Sequence, residues 1–203
     1  RQMCIRDSPV PYYGIVGNNV GYIVISTFAI ENCSKDIKKA LIELKQQGAK
    51  SIVLDLRGNG GGLLGEAVNV VNFFVPKGKE IVVTKGKIKQ AGTTYKTMNE
   101  PVDTEIPLAV LVDGSTASAS EIVSGSLQDL DRAIVVGSRT YGKGLVQVPR
   151  ELPYNSSMKV TTAKYYIPSG RCIQAIDYAK RNADGSVART CLLYTSPSPR
   201  DTR

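Results

Sequence analysis

A serine beside a helix pattern, a lysine between two glycines and a glutamine four residues further on are the side chains best placed for chemistry in this sequence: Ser118, Lys143 and Gln147. The 203-residue chain contains no histidine. That excludes Ser-His-Asp triads, Cys-His dyads and His-containing zinc sites. Acid–base work near neutral pH then falls to a carboxylate, a tyrosine, a cysteine, or a lysine held in its neutral form. A lysine can serve a serine nucleophile only where burial or nearby charge favours the uncharged amine. Ser118 lies in Asp113-Gly114-Ser115-Thr116-Ala117-Ser118-Ala119-Ser120-Glu121, between a strand pattern and a helix pattern. Backbone N–H groups and the positive end of a helix dipole at that point favour an oxyanion on an acylated carbonyl. The glycines flanking Lys143 in Tyr141-Gly142-Lys143-Gly144 allow close approach of backbone or substrate. Gln147 falls on the same strand face as Lys143, where its amide can orient the amine. The loop Gly58-Asn59-Gly60-Gly61-Gly62 can supply a further N–H. Each feature also has a plain structural reading. Ser118-x-x-Glu121 is a capping box, an isolated lysine is ordinarily a solvated charge, and a glycine-rich loop is ordinarily a tight turn.

Three other motifs fail on their context. Gly60-x-Gly62-x-x-Gly65 follows a strand pattern and precedes a helix pattern, as a dinucleotide fingerprint should. Its acidic partner should end the next strand, whereas Glu80 precedes that strand. Gly137-x-x-x-x-Gly142-Lys143 approaches a Walker A loop, but Gly144 stands where the Mg²⁺-binding hydroxyl is needed and a strand pattern follows. Ser156-x-x-Lys159 follows a turn rather than opening a helix, and no Lys-Thr-Gly accompanies it.

The elements that must position these residues follow from hydrophobic period. Val20–Ser26 reads as a strand, and a helix opens at Ser34 with Ile37, Leu41 and Leu44 on one face until Gly48. Ser51–Leu56, Pro107–Val112 and Ala133–Gly137 are short apolar runs that predict buried strands. Helices are expected from Leu64 through Val71 and over Ala117–Asp129. Glu80–Thr84 and Lys87–Thr97 suggest an antiparallel excursion. Leu145–Val148 and Met158–Ile167 suggest strands joined at Pro153-Tyr154-Asn155. The alternation argues for an α/β domain with parallel strands plus β-hairpin excursions. Loops 58–62, 113–118 and 138–143 each follow a predicted buried strand, so parallel strands would deliver all three to one carboxyl edge, where α/β folds place ligands.

Net charge is +8, which raises the expectation of acidic partners. The densest lysine stretch, Lys77 to Lys96 with Lys85, Lys87 and Lys89 inside it, is interleaved with apolar and β-branched residues and reads as a solvated hairpin face. No RNP-type aromatic motif or basic zipper region is present, so nucleic acid is not expected as a partner. Neither is a membrane span, because no apolar run approaches about 18 residues. Cys4, Cys33, Cys172 and Cys191 form no C-x-x-C pair, and no metal or other cofactor is expected. Residues 1–8 (RQMCIRDS) and 190–203 (TCLLYTSPSPRDTR) lack periodicity and read as adaptor-like, non-native tails, leaving 9–189 as the domain. Whether Cys33 and Cys172 pair is open at this stage.

From Gly21 to about Val187 the sequence resembles the catalytic core of the carboxyl-terminal processing, or tail-specific, serine peptidases. The stretches that carry the resemblance are Asp55-Leu56-Arg57-Gly58-Asn59-Gly60-Gly61-Gly62, Thr116-Ala117-Ser118-Ala119-Ser120-Glu121-Ile122, Leu127-Gln128-Asp129 and Arg132-Ala133. To these are added Thr140-Tyr141-Gly142-Lys143-Gly144-Leu145-Val146-Gln147 and Thr161-Thr162-Ala163-Lys164-Tyr165-Tyr166-Ile167-Pro168-Ser169-Gly170-Arg171. The resemblance implies a crotonase/Clp-peptidase-like core built on a β-spiral. It implies Ser118 as nucleophile, Lys143 as general base, Gln147 as its orienter, and the Ala119 N–H with a loop glycine, Gly61, as oxyanion hole. It also implies protein substrates with accessible C-terminal tails, cleavage near those tails, a periplasmic or envelope location, and possible homo-oligomers or a regulatory partner. Substrate held as an added strand on Met158–Tyr166 or its neighbours is a further expectation. Two departures stand out: Gly60 replaces the usual proline of the loop, and Asp113 replaces a common asparagine. The family usually carries a PDZ domain ahead of this core, and none fits before Gly21, so the chain is expected to be a fragment with an apolar patch exposed near Val10–Val20. The competing reading is a non-catalytic peptide- or ligand-binding module on the same core, which would have no need of the intact Ser118, Lys143 and Gln147 set.

Overall fold

The computed structural model describes residues 8–87, 92–181 and 183–189. The tail residues 1–7 and 190–203, with Cys4 and Cys191, and Lys89 of the lysine-rich stretch lie outside the described residues. The chain forms β1 (Tyr12–Val16), β2 (Val20–Val24), α1 (Cys33–Gln46), β3 (Ser51–Asp55), α2 (Leu64–Asn72), β4 (Glu80–Lys85) and β5 (Thr93–Lys96). It continues through β6 (Leu108–Val112), α3 (Ala119–Asp129), β7 (Ile134–Gly137), β8 (Leu145–Leu152), β9 (Ser156–Tyr166), β10 (Ile176–Arg181) and β11 (Val187–Arg189). One sheet has the order β1-β2-β3-β6-β7, the second β5-β4-β9-β8, and β10 pairs with β11. The β2–β3, β3–β6 and β6–β7 pairs are parallel, and β1 closes on β2 as an antiparallel hairpin. The mixed α/β architecture expected from the sequence is therefore present, and the loops after β3, β6 and β7 leave from the same edge.

Burial along the strands is more one-sided than the apolar runs suggest. Ile23, Ile52, Leu54, Val110 and Val112 join Ile37, Leu41 and Leu44 of α1, Val70 and Val71 of α2, and Ile122 and Val123 of α3 in one core. The alternate residues Tyr22, Val53, Ala109 and Leu111 are only half-buried. The correction is largest at β7, expected to be buried but lying at the sheet edge with Ile134 59% and Val136 47% exposed. β9 pairs with β8 along most of its length but with β4 only over Lys164–Tyr166, so among the described residues its 156–163 stretch keeps one edge open, and its neighbour β8 has an open outer edge as well. Tyr12, Tyr13 and Val16 on β1 are exposed, whereas Val10 is buried in the core. Cys33 and Cys172 are both free thiols. Burial and the neighbouring Glu66 carboxylate push the Cys33 thiol up to about 12, so it is an inert core group.

Two partly buried ion pairs tie loops to helices. Arg171, after β9, donates to the Asp129 carboxylate and to Gln128 at the end of α3, and the Ser169 N–H donates to Asp129 as well. Asp103 sits before β6 and receives Lys45 from the last turn of α1 at 2.5 Å, together with the N–H groups of Glu105 and Ile106 at 2.8 Å each. Burial alone would raise the Asp103 pKa, but Lys45 and the two N–H donors outweigh it and hold it at about 2. A depressed carboxylate stabilises the fold above its unfolded pKa, and that contribution disappears as pH falls from about 4 towards 2. Asp103→Asn is expected to lower Tm by about 2–4 °C at pH 7, from roughly 1 kcal/mol of lost ion pairing. In thermal melts the gap from wild type should shrink steadily between pH 4 and pH 2, and a gap at pH 2 as large as at pH 7 would contradict the assignment.

Candidate active site

The three loops at the carboxyl edge are bound to one another before any substrate is considered. After β3, the Asn59 side chain is fully buried and donates to the Ile25 carbonyl at 2.8 Å. Its main-chain carbonyl accepts the Ala117 N–H at 3.0 Å, which locks the glycine loop onto the loop after β6. Asp113 makes a second lock. Its carboxylate accepts N–H bonds from Gly58, Ser115 and Thr116, and the Thr116 hydroxyl reaches both Asp113 and the Leu56 carbonyl. Burial pushes the Asp113 carboxyl up, but these donors outweigh it and hold it below its ordinary range. The acid in place of asparagine thus acts as an acceptor at every one of these contacts. A third connection runs from the Tyr141 N–H to the Thr116 carbonyl at 3.0 Å. Just before the glycine loop, Tyr22 and Arg57 both donate to Asp55, which fixes the end of β3.

Ser118 stands immediately ahead of α3 with φ 55° and ψ −116°. A side-chain-bearing residue at such angles is strained, and strain of this kind persists where surrounding contacts over-determine it. Similar geometry projects a serine hydroxyl from a strand-to-helix turn in nucleophile elbows. Here the over-determining group is Glu121, which is 0% exposed. One carboxylate oxygen accepts the Ser118 N–H and the Lys143 N–H, both at 2.8 Å. The other accepts the Thr140 hydroxyl and the Gly142 N–H, both at 2.7 Å. The capping box expected at Ser118-x-x-Glu121 is therefore present on its Glu side, but the carboxylate does more than cap a helix. It couples the serine turn to the lysine loop. Burial pushes the Glu121 carboxyl up, partly offset by its four donors.

Gly61 also belongs to the serine. A Cβ there would meet the Ala117 carbonyl oxygen at 2.6 Å, Ser118 Cβ at 2.8 Å and Ala119 N at 2.9 Å, and its φ of 95° disfavours any side chain. Glycine is thus required to seat the loop against Ser118 and Ala119. The Gly61 N–H, however, donates inward to Asn59 Oδ1 at 2.9 Å. The N–H groups of Gly60, Gly62 and Ala119 have no acceptor among the described residues. Gly142 is pressed onto the segment after β9, where its carbonyl accepts the Ala175 N–H and a Cβ would lie 2.2 Å from Ala175 Cβ. Gln174 accepts the Gly144 N–H at 2.8 Å, so the lysine loop is pinned on both sides.

Lys143 and Gln147 line one cavity of about 610 Å³ with Gly60, Ala117, Leu145 and Ile176, beside Ser118. Lys143 is exposed and Ser118 half-buried, and no hydrogen bond joins their side chains. Of the five residues expected at the site, Gly61 and Ala119 lie against Ser118, and Lys143, tied to Ser118 through Glu121, shares the cavity with Gln147. Among the described residues no cluster of three or more His, Cys, Asp or Glu is arranged to hold a metal ion. Sequence reasoning missed Asn59 and Thr140 as individuals and saw Glu121 only as a cap. Thr140 and Glu121 both lie in the quoted motif stretches, but their contact joins residues 19 apart in the chain.

A family model described as peptidase family S41 matches residues 19–179, and the chain belongs to that family. It is 43% identical over 152 residues to a carboxyl-terminal-processing protease of Picosynechococcus, covering 75% of this chain and 36% of that protein. It is 41% identical over 158 residues to a probable CtpA-like serine protease of Staphylococcus epidermidis, covering 76% of this chain and 31% of that protein. Among solved structures, a photosystem II D1 C-terminal processing protease superposes with a TM-score of 0.70 at 38% identity, covering 76% of this chain and 39% of that one. The chain therefore spans about a third of the length of these relatives.

Proposed function

We propose that this domain is the catalytic core of a serine endopeptidase that cleaves polypeptides near their C-termini, with Ser118 as nucleophile and Lys143 as general base. The observation that supports it most is the Glu121 carboxylate, which holds the peptide N–H groups of Ser118 and Lys143 on one oxygen while Ser118 keeps a strained conformation. A binding module would have no use for that strain.

In the proposed reaction Ser118 Oγ attacks the scissile carbonyl carbon as the neutral Lys143 amine takes the hydroxyl proton. The Ala119 N–H and a loop glycine N–H receive the oxyanion. Gly61 seats the loop against the serine, and it becomes a donor itself only if its bond to Asn59 is exchanged for the oxyanion. The Lys143 ammonium then protonates the leaving amine, giving an ester on Ser118, and the amine next activates the water that hydrolyses it. Gln147 orients the amine from β8. Catalytic hydrogen bonds are commonly long before substrate binds and tighten in the complex. The free edge of β8 is available to pair with an extended substrate. The proposed setting is the periplasm or cell envelope.

A fluorophosphonate tests the assignment, because it reacts with an activated serine and leaves a mass adduct on it. Labelling should map to Ser118 by peptide mass spectrometry and be lost in Ser118→Ala. A folded protein that takes no label, alone or within the longer chain of its relatives' length, would favour the binding module.

A further inference from the structure

The second sheet carries a cationic cavity that the chemistry above does not use. It has a volume of about 860 Å³ and is lined by Lys85, Lys87, Arg150 and Lys164, with Val160 and Tyr166 among its apolar walls. Among the described residues no acidic side chain lines it. None of the four cations has a carboxylate partner among the described residues, where the ion pairs lie elsewhere. Lys85 and Lys164 are direct cross-strand neighbours in the β4–β9 pair. Like charges at that separation repel and destabilise a sheet. Lys85 Nζ also lies 4.9 Å from the centroid of the Tyr166 ring. An anionic group between the two lysines would remove the repulsion.

The shape indicates what carries that anion. Arg150 pairs with Met158 and Lys85 with Lys164, so the cationic ends are six residues apart along β9. At about 3.3 Å per residue they are separated by roughly 20 Å, the span of an extended peptide of about six residues. The cavity also adjoins the active site. Lys164, on its wall, is the cross-strand partner of Leu145, which lines the cavity shared by Lys143 and Gln147. We propose that this groove is an exosite for an acidic, extended stretch of the polypeptide being cleaved, with carboxylates at Lys85/Lys164 and at Arg150 and apolar side chains between. The proposal rests on the peptidase reading, and its test separates the two.

The test compares two peptides with the same scissile segment, one flanked by six residues alternating Glu and Val, the other by Gln and Val. The acidic peptide should show a KM about tenfold lower at low salt with unchanged kcat, and the advantage should vanish in 0.5 M NaCl, as expected for attraction between exposed charges. Lys85→Glu/Lys164→Glu should erase or invert the preference while cleaving the neutral peptide at the wild-type rate. Lys85→Gln/Lys164→Gln removes the like-charge pair without adding a new one and should erase the preference with no loss of stability. Equal KM values for the two peptides, or a preference that survives either double variant, would overturn the exosite. Fluorescence anisotropy of the acidic peptide on Ser118→Ala reads the groove without cleavage: binding that both double variants abolish supports the exosite even if the dyad is wrong. Binding of phosphatidylglycerol vesicles but not of the acidic peptide would overturn it in favour of a lipid surface.

Discussion

Lys143→Ala and Ser118→Ala are each expected to reduce peptide-bond cleavage by at least about 10³-fold, and the double variant to lose little more, because the two groups act as one unit. Neither change should unfold the domain. The Lys143 side chain is exposed, where substitutions ordinarily cost within about 0.5 kcal/mol. Ser118 stands at the N-cap position, where alanine costs about 1–2 kcal/mol. Lys143→Arg is the more discriminating variant. A guanidinium keeps the charge and length but cannot surrender its proton in the physiological range, so it can orient but cannot serve as base. If Lys143 only attracted substrate by charge, arginine would retain most of the activity. If it is the base, Lys143→Arg should be as inactive as Lys143→Ala. Steady-state kinetics on one tailed peptide, with circular dichroism on each variant, provides the check.

The sequence made much of this site legible, and the reason is local. A serine between a strand and a helix, or a lysine between glycines, announces a backbone geometry through residue type alone. The strands Ser51–Asp55 and Leu108–Val112 were equally readable, because interior strands of a parallel sheet are short, apolar and β-branched. β1 was not, since its residues Tyr12-Tyr13-Gly14-Ile15-Val16 are largely exposed and follow no burial period. β7 carries the composition of an interior strand yet lies at an edge, and no local signal separates the two. β10 and β11 are short and, among the described residues, pair only with each other.

The oxyanion loop shows the same limit at atomic scale. The glycine loop was expected to supply an N–H to the site, and Gly61 packs directly against Ser118 and Ala119. Which glycine has its N–H available depends on where the Asn59 side chain turns, and that depends on the Ile25 carbonyl, 34 residues away. Likewise Asp113 reaches back 55 residues to the Gly58 N–H. Residue type specifies what a group can do, whereas its availability is settled by partners that only the folded chain brings near.

Glu121 is where that distinction has its largest consequence. Its carboxylate receives four donors in two pairs, Ser118 N–H with Lys143 N–H and Thr140 Oγ1 with Gly142 N–H. In Glu121→Gln the amide keeps one acceptor oxygen, and its NH₂ group faces either the Ser118 and Lys143 N–H groups or the Gly142 N–H, since the Thr140 hydroxyl can turn to accept from it. Leaving one or two donors unsatisfied costs about 1–4 kcal/mol. The loss falls between the serine turn and the lysine loop, so cleavage is expected to drop by about 10²-fold, chiefly in kcat. A purely structural role would lower Tm and leave the kinetics of the surviving folded protein unchanged. Fluorophosphonate labelling rates measured well below Tm distinguish the two, since they count only folded sites. A pH profile gives a second readout. Burial raises the Glu121 pKa, and protonating the carboxyl places a hydrogen among the donors much as the amide does. The wild-type labelling rate should therefore fall with acid towards that of Glu121→Gln, and the variant should lack this acid limb. A variant that labels at the wild-type rate, or keeps the same acid limb, would show that Glu121 caps a helix and positions nothing.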